Sequence, residues 1–573
     1  MKKIKSPWMK FQEEKRNEIE VPKMSIYEMF KEVALENPTA LAYNYFGTIV
    51  TYKKFLVQID KTAEAFKRYG VNFGDVVTIC LPNFPEGIIC VYALNKIGAI
   101  ANMVHPLSGE GEIKSYVNDT NSKIIVTLDL NKKKIKTIIK DTKLKYVILV
   151  DADDSFNIFL KLGYKLLNKK LFNVKKLKKP YLRFKNFLVS NPGEKLKDEK
   201  IIKDHVEKRD AIILYSGGTT GIPKGILLTN GNFNALAVQA KHLFGHFEKG
   251  DKVLTIMPIF HGFGLGVSIH CIYCLVGQTI LVPKFEAKKS DNLIKTYKPN
   301  YIIGVPTLFE ALLNNKGFKK MNLSFIKYVI SGGDSLSESL KDRFNAFLKE
   351  HHSLAVIEQG YGLSEAVAAT SFARKDLGAP CSIGIPLLGN YYKIVEEGSE
   401  TEVPYNNDGE ICITGPTVMK GYLNNPEETN MVLRKHKDGY TWLHTGDVGS
   451  MSEDGIVTYK QRYKRIIVSS GYNVYPLHVE NIINSHPLVL KSCVVGVPHK
   501  YKIQVPKAFI VLKENVKSSR KIKKEIKEIC QKNLPKFSIP YKYIFKEEFP
   551  TTLIGKVDYR ILENDEDDEE DEE

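Results

Sequence analysis

Apolar and polar positions along the chain follow two periods, and the change from one to the other marks out the elements. From Thr51 to Tyr69, residues Phe55, Leu56, Ile59, Ala63 and Phe66 recur at helical spacing and the run stops at Gly70, which predicts a helix. "VVTICL" (76–81) then reads as a buried strand. A second helix, Glu86 to Ile97, leads through Gly98 into the apolar run Ala99 to Val104, and "KIIVTL" (123–128) and "KYVILV" (145–150) extend the alternation. Helices between strands that are apolar on both faces indicate an α/β fold with largely parallel sheets. Near the C-terminus the pattern restarts on a smaller scale: Val479 to Asn484 is helical, "CVVGV" (493–497) and "AFIVL" (508–512) are strands, and Ile522 to Asn533 is helical. This predicts a second, smaller α+β domain of about a hundred residues.

One stretch imitates a membrane span. Gly262 to Pro283, "GFGLGVSIHCIYCLVGQTILVP", carries no formal charge over a length that could cross a bilayer. Repeated glycines, His270, Gln278 and a turn at Gly277-Gln278 favour a buried helix followed by the strand Thr279 to Val282.

Composition adds three constraints. A chain of 573 residues exceeds what one core supports, so at least two domains are expected. The net charge is +17 although residues 564–573, "NDEDDEEDEE", hold nine acids; 17 + 9 leaves the rest at +26. A basic body suits nucleotides, coenzyme A or an anionic membrane, and charge alone does not separate these from nucleic acid. Eight scattered cysteines, mostly within apolar runs, read as reduced thiols of a cytoplasmic protein, and the pair Cys271 and Cys274 beside His270 has no second pair to make a metal site. The N-terminal residues are charged throughout and lack the apolar core of an export signal. Residues 154–190 hold ten Lys or Arg and one acid, with Phe156, Leu160, Tyr164, Leu167 and Leu171 at helical spacing. That basic amphipathic pattern fits a surface helix packed on its own domain, or peripheral contact of 154–179 with anionic lipid at the inner face of the membrane.

The chemistry begins at "YSGGTTGIPKG" (215–225), a glycine-rich turn behind the apolar run Ala211 to Leu214. Such a turn offers backbone N–H groups, hydroxyls and a lysine to a polyphosphate. It departs from the P-loop pattern, because Pro223 precedes Lys224 and Gly225 follows it.

This loop resembles the phosphate loop of the adenylate-forming superfamily, which includes acyl-CoA synthetases, firefly luciferase and peptide-synthetase adenylation domains. The resemblance continues in order through "MPIFHGFG" (257–264), "SGGDSL" (331–336), "YGLSEA" (361–366), "GEICITGPTVMKGYLNNPEET" (409–429), "HTGDVG" (444–449), "QRYKRIIVSSGYNVYP" (461–476) and "TTLIGKVDYR" (551–560). It implies an N-terminal ATP- and acid-binding domain over 1–463 and a mobile C-terminal domain over 464–562, and the acidic composition of 563–573 predicts a disordered tail.

The resemblance also implies a reaction. A carboxylate attacks the α-phosphate of ATP, pyrophosphate leaves, and a thiol then attacks the acyl-adenylate and expels AMP. By the same resemblance Ser216, Gly217, Gly218, Thr219, Thr220 and Lys224 hold the β- and γ-phosphates, while Glu365 binds Mg²⁺ with Ser364 near the α-phosphate. Tyr361, next to Gly362, would stack on adenine against the turn Gly332-Gly333-Asp334; Asp447 would accept the ribose hydroxyls and Arg462 add a cation. Lys556 would bridge the carboxylate and the α-phosphate, and a hinge at Lys464 would exchange it for the Gly471 loop, which faces the pantetheine of coenzyme A. Gln461 stands where the family usually has glycine, which puts the hinge geometry in doubt.

For the acid itself, His261, Phe263 and Gly264 would line the pocket, and no Asp is present there to pair with the amine of an amino acid. A medium- or long-chain fatty acid is the first reading and an aryl acid the second. An enzyme that loads a separate carrier protein is a third. A silent nucleotide- or lipid-binding scaffold would have lost Lys556, Glu365 or Asp447, and all three are present. The expected partners are the acid, ATP and coenzyme A, without nucleic acid.

Overall fold

The computed structural model describes residues 4–12, 18–157, 160–161, 177–191, 205–215, 223–244, 246–377, 382–469, 472–499, 501–552 and 556–565. The chain forms a large α/β domain and a smaller C-terminal one. In the large domain an eight-stranded sheet runs in the spatial order Gly421–Tyr422, Gly225–Thr229, Asp210–Tyr215, Ile100–Met103, Val76–Cys80, Ile124–Leu128, Tyr146–Val150 and Tyr181–Arg183. From Asp210–Tyr215 to Tyr181–Arg183 all neighbours are parallel.

The helices that cover this sheet follow from sequence. Tyr52–Arg68 is capped by Thr51, whose hydroxyl accepts from the Lys54 N–H, and it ends where Gly70 takes φ +76°. Its predicted apolar stripe, Phe55, Leu56, Ile59, Ala63 and Phe66, is buried, at about 1.5–3 kcal/mol for each large side chain. Pro85–Lys96 is buried nearly all round, because strands Val76–Cys80 and Ile100–Met103 pack against it together with helices Ile26–Glu36 and Tyr52–Arg68.

A second, fourteen-stranded sheet has two halves. Strands Leu41–Tyr45, Gln278–Leu281, Lys252–Thr255, Tyr301–Gly304, Tyr328–Gly332 and Ile357–Gly362 are parallel neighbours. From Ile357–Gly362 onward the pairing turns antiparallel, through Ala369–Ala373, Ser382–Pro386, Val457–Arg462, Thr441–Met451 and Gly409–Thr414. The expectation of largely parallel strands therefore holds for one half only. Between 362 and 457 the described helices are too short to serve as crossovers, so the strands pair antiparallel, some as hairpins and some, such as Ser382–Pro386 with Val457–Arg462, across longer connections. Ligands of α/β sheets gather where strand order or direction switches, and Ile357–Gly362 is that strand.

The uncharged stretch at 262–283 is buried core. Phe263–Cys271 is a π-helix followed by a short α-helix, Ile272–Cys274, and by the strand Gln278–Leu281. The tight π-turn packing is permitted by glycine: a Cβ on Gly262, Gly264 or Gly266 would meet the Val367 carbonyl, the Pro258 carbonyl or the Leu236 side chain at 3.0 Å or less. His270 sits between the Tyr92 hydroxyl at 3.1 Å and Asn234 Oδ1 at 3.2 Å. Cys271 and Cys274 are free thiols, and burial pushes the Cys274 thiol up to about 12. Among the described residues no helix is long and apolar enough to cross a membrane.

The smaller domain is a five-stranded sheet in which Ile503–Leu512 is central, pairing with Val489–His499 on one edge and with Ile467–Ser469 and Lys542–Phe545 on the other, and Tyr472–Val474 pairs with Ile467–Ser469. Helix Arg520–Asn533 buries Ile522, Ile526 and Cys530 against it, one face at every fourth residue. Of the basic segment, Phe156 packs on Tyr45 and Phe46, and Tyr181–Arg183 and Phe184–Val189 form a strand and a short helix. Tyr164, Leu167 and Leu171 lie outside the described residues.

Candidate active site

The switch strand and its antiparallel neighbours assemble one end of the site. Asp447 and Arg462 face each other across paired strands, with Arg462 Nε 3.0 Å from Asp447 Oδ1. The Tyr361 hydroxyl, at the end of the switch strand, donates to Asp447 Oδ2 at 2.7 Å. Asp447 is thus buried with both oxygens engaged, and its charge is the main reason the Arg462 guanidinium is held still further above its ordinary range. Burial, then Asp447, raises the Tyr361 phenol, so it stays a neutral donor. The Tyr361 ring lies 5.9 Å from that of Tyr459.

Gly332 pairs with Gly360 on the neighbouring strand, and a Cβ there would sit 3.1 Å from the Phe263 ring. Gly333 follows in the left-handed region at φ +77°, and Asp334 closes the turn by accepting from the Ser335 N–H at 2.9 Å. Glycine is required here for close approach and for the turn.

The turn that carries Asp447 is itself held from beneath. The Glu410 carboxylate accepts from the Gly446 N–H at 3.0 Å and lies 2.7 Å from His444 Nδ1, while His444 Nε2 is 2.9 Å from His436 Nε2. Sequence reasoning quoted Glu410 and His444 within motifs but gave them no role.

Of the residues expected at the phosphates, Ser216, Gly217, Gly218, Thr219 and Thr220 lie outside the described residues, as does Gly471. Lys224 is described: its ammonium is 2.5 Å from Glu428 Oε2 and 5.2 Å from the Tyr422 ring centroid. Ser364 and Glu365 form a 3₁₀ turn, Ser364–Ala366, just past Gly362. Glu365 Oε1 accepts from the Tyr422 hydroxyl at 3.0 Å, and its carbonyl accepts from the Met419 N–H at 2.7 Å. Among the described residues Oε2 has no hydrogen-bond partner. A carboxylate with one oxygen held and the other unengaged, sharing the Tyr422 side chain with the Lys224 cation, fits a hard divalent cation that keeps water and anionic oxygens as its other ligands.

Lys556 enters from the smaller domain. Its N–H donates to Thr552 Oγ1 at 3.3 Å and its carbonyl accepts from the Thr552 N–H at 2.7 Å, which closes a loop. The side chain is partly buried and feels Asp334, Arg462 and Asp447 of the large domain; burial dominates and lowers its pKa from 10.5. His261 stands nearby, brought down to about 4 by burial, His105 and Lys556, so it is neutral. Its Nε2 is buried without a partner among the described residues. Lys464 is exposed in the turn Tyr463–Arg465, and the next residue, Arg465, pairs with Glu480 at 2.8 Å and covers the Tyr559 ring. The structure therefore gathers Tyr361, Asp447, Arg462, Asp334, His261, Phe263 and Lys556 at one end, and Glu365 and Lys224 at the other. Tyr422, Glu428, Tyr459 and Thr552 are additional neighbours that sequence reasoning left without a role; Tyr422 and Glu428 reach Glu365 and Lys224 only through folding, while Thr552 lies four residues from Lys556 in the same motif.

Comparison with known proteins identifies the family. Residues 30–423 match the family described as AMP-binding enzyme, and residues 478–556 match AMP-binding enzyme C-terminal domain. A long-chain-fatty-acid–CoA ligase of Bacillus subtilis is 32% identical over 565 residues, covering 97% of each chain. A 4-coumarate–CoA ligase of Arabidopsis thaliana is 30% identical over 520 residues, covering 89% of this chain and 87% of its own. The solved anthranilate CoA ligase with anthranoyl-AMP shares the fold, with a TM-score of 0.80 at 22% identity over 95% of this chain and 97% of its own. The chain belongs to the AMP-binding enzymes, the adenylate-forming superfamily. It is an AMP-forming acid–thiol ligase.

Proposed function

We propose that this enzyme activates a medium- or long-chain fatty acid with ATP and transfers the acyl group to coenzyme A. The observation that carries the reading is the position of Lys556: a lysine of the small domain stands within electrostatic reach of Asp334, Asp447 and Arg462 of the large one. In that pose its charge sits where an incoming carboxylate and the α-phosphate would meet, and would neutralise an in-line displacement between anions. Asp447 takes the ribose hydroxyls, in exchange for its present contacts with Tyr361 and Arg462. Adenine lies along Tyr361 and the Gly332-Gly333 turn. Lys224, exchanging Glu428 for phosphate, and the residues 216–220 hold the β- and γ-phosphates. Glu365 would hold Mg²⁺ through Oε2, and the ion would withdraw charge from the phosphates. After pyrophosphate leaves, rotation about Lys464 removes Lys556 and brings in the Gly471 loop, and the thiol of coenzyme A attacks the acyl carbonyl and expels AMP.

The neutral His261, with Phe263, provides an apolar entrance for the acid, without an acidic residue to hold an amine. The relatives named as long-chain-fatty-acid–CoA ligases support the fatty acid reading. The helix glycines 262, 264 and 266 are backed by protein, so an alkyl channel would run along another face. An aryl acid is the second reading, supported by the aromatic lining at Phe260 and Phe263 and by the 4-coumarate–CoA ligase relative. We place the enzyme in the cytoplasm, with 154–179 as a segment for contact with anionic lipid.

Pyrophosphate release from ATP and Mg²⁺, measured across fatty, aryl, short-chain and amino acids with and without coenzyme A, tests the reading. The expected result is a coenzyme A-dependent signal with fatty acids. Signal with aryl acids alone replaces the substrate, and signal indifferent to coenzyme A points to carrier loading. Lys556→Ala should lower acyl-adenylate formation about a hundredfold, roughly 3 kcal/mol of transition-state stabilisation; near-wild-type adenylation in a folded variant would remove Lys556 from the mechanism.

A further inference from the structure

Tyr422 touches both halves of the phosphate machinery. It lies in the two-residue strand Gly421–Tyr422, which pairs antiparallel with the strand leaving the phosphate loop, Tyr422 opposite Ile226. Its ring is the surface over which the Lys224 ammonium sits at 5.2 Å. Its hydroxyl donates to Glu365 Oε1 at 3.0 Å, and among the described residues it is the sole hydrogen-bond donor to that carboxylate. The strand is anchored in turn, because the Tyr422 N–H donates to Thr429 Oγ1 at 2.9 Å and Glu428, one residue before, holds Lys224. One rigid aromatic side chain thus sets the separation between a lysine and an acid that come from segments some 140 residues apart in sequence.

We infer that Tyr422 is a positioning residue for the divalent cation: it holds one oxygen of Glu365 so that the other faces the metal, at a fixed distance from Lys224. The inference rests on the assignment of Glu365 to Mg²⁺ and extends it. A carboxylate turned freely by solvent would sample several orientations; a hydrogen bond to a charged acceptor holds one of them, which adds affinity for a cation by reducing the entropy lost on binding.

The experiment is calorimetric binding of a non-hydrolysable ATP analogue to the full chain, titrated at several Mg²⁺ concentrations, and it needs no turnover. Tyr422→Phe keeps the ring over Lys224 and removes only the hydroxyl. It should raise the Mg²⁺ concentration for half-maximal enhancement of binding about tenfold, with metal-free binding unchanged. Tyr422→Leu should in addition weaken metal-free binding of the triphosphate relative to AMP, since the ring that steers Lys224 is gone. In a Glu365→Gln background, Tyr422→Phe should have no further effect, which separates positioning from general packing. If Tyr422→Phe leaves the Mg²⁺ dependence as in wild type, or shifts it equally in the Glu365→Gln background, the inference is wrong while the assignment of Glu365 stands. If the wild-type chain binds the analogue with no dependence on Mg²⁺, the assignment of Glu365 falls.

Discussion

Gly262 has no room for a methyl group. A Cβ there would lie 1.4 Å from the Val367 carbonyl oxygen, and Val367 cannot easily yield, because it stands at φ 64°, ψ −63° in a γ-turn closed by the Ala368 N–H on the Ala366 carbonyl at 2.8 Å. A β-branched residue in that conformation is strained, and strain of this kind persists where surrounding packing imposes it. The turn directly follows Glu365, so backbone strain, glycine packing and the candidate metal ligand share one spot. Gly262→Ala should therefore lower stability by about 3 kcal/mol or more in urea denaturation and reduce adenylation beyond what the lost stability explains. A stability loss under about 1 kcal/mol would show that the turn adapts. In sequence, Gly262 was legible as part of "MPIFHGFG", but its reason was not, since Val367 lies about a hundred residues further on.

At the scale of elements, periodicity located the helices well because burial of one stripe is a local pattern: Thr51 to Tyr69 was expected, and Tyr52–Arg68 is found with the same five residues inside. It could not show that the strands after 362 pair antiparallel, because strands such as Ser382–Pro386 and Gly409–Thr414 are buried on both faces and read like parallel ones, and their direction is decided by the connections. Nor did it mark the tip of the long C-terminal hairpin, where Ile503 stands exposed at φ +66°. A β-branched side chain there clashes with its own backbone, at about 1–2 kcal/mol. Ile503→Gly should relieve that clash and, after the extra entropy of glycine in the unfolded chain, raise stability by up to about 1 kcal/mol, read as a higher urea midpoint at unchanged slope. A lower midpoint would mean that the exposed Ile503 side chain contributes more than its backbone strain removes.

At the scale of the whole molecule, the docking of the small domain on the large one gives the candidate site its pH behaviour. Burial in the docked pose lowers the pKa of Lys556 from 10.5, with Asp334 and Asp447 only partly compensating. The sign follows: between the lowered value and 10.5 the docked lysine is neutral while an undocked one is still charged, so rising pH favours docking but removes the cation that adenylation needs. The alkaline limb of kcat/KM for ATP in acyl-adenylate formation should fall below pH 10.5, and Lys556→Arg, which keeps its charge, should move that limb upward whatever its rate at neutral pH. An unmoved limb would assign it to another group. The sequence by itself determined the α/β class, the strands and helices, the ordered motifs and hence the family, because these depend on local pattern and on residue identity along the chain. Only the tertiary structure decided which groups share a space: Tyr422 with Glu365 and Lys224, Glu410 and His444 beneath Asp447, and Lys556 from one domain against Asp334 and Arg462 of the other. The physical reason is that charge, desolvation and hydrogen bonding act over a few ångströms, and the chain brings residues within that reach only when its sheets are complete.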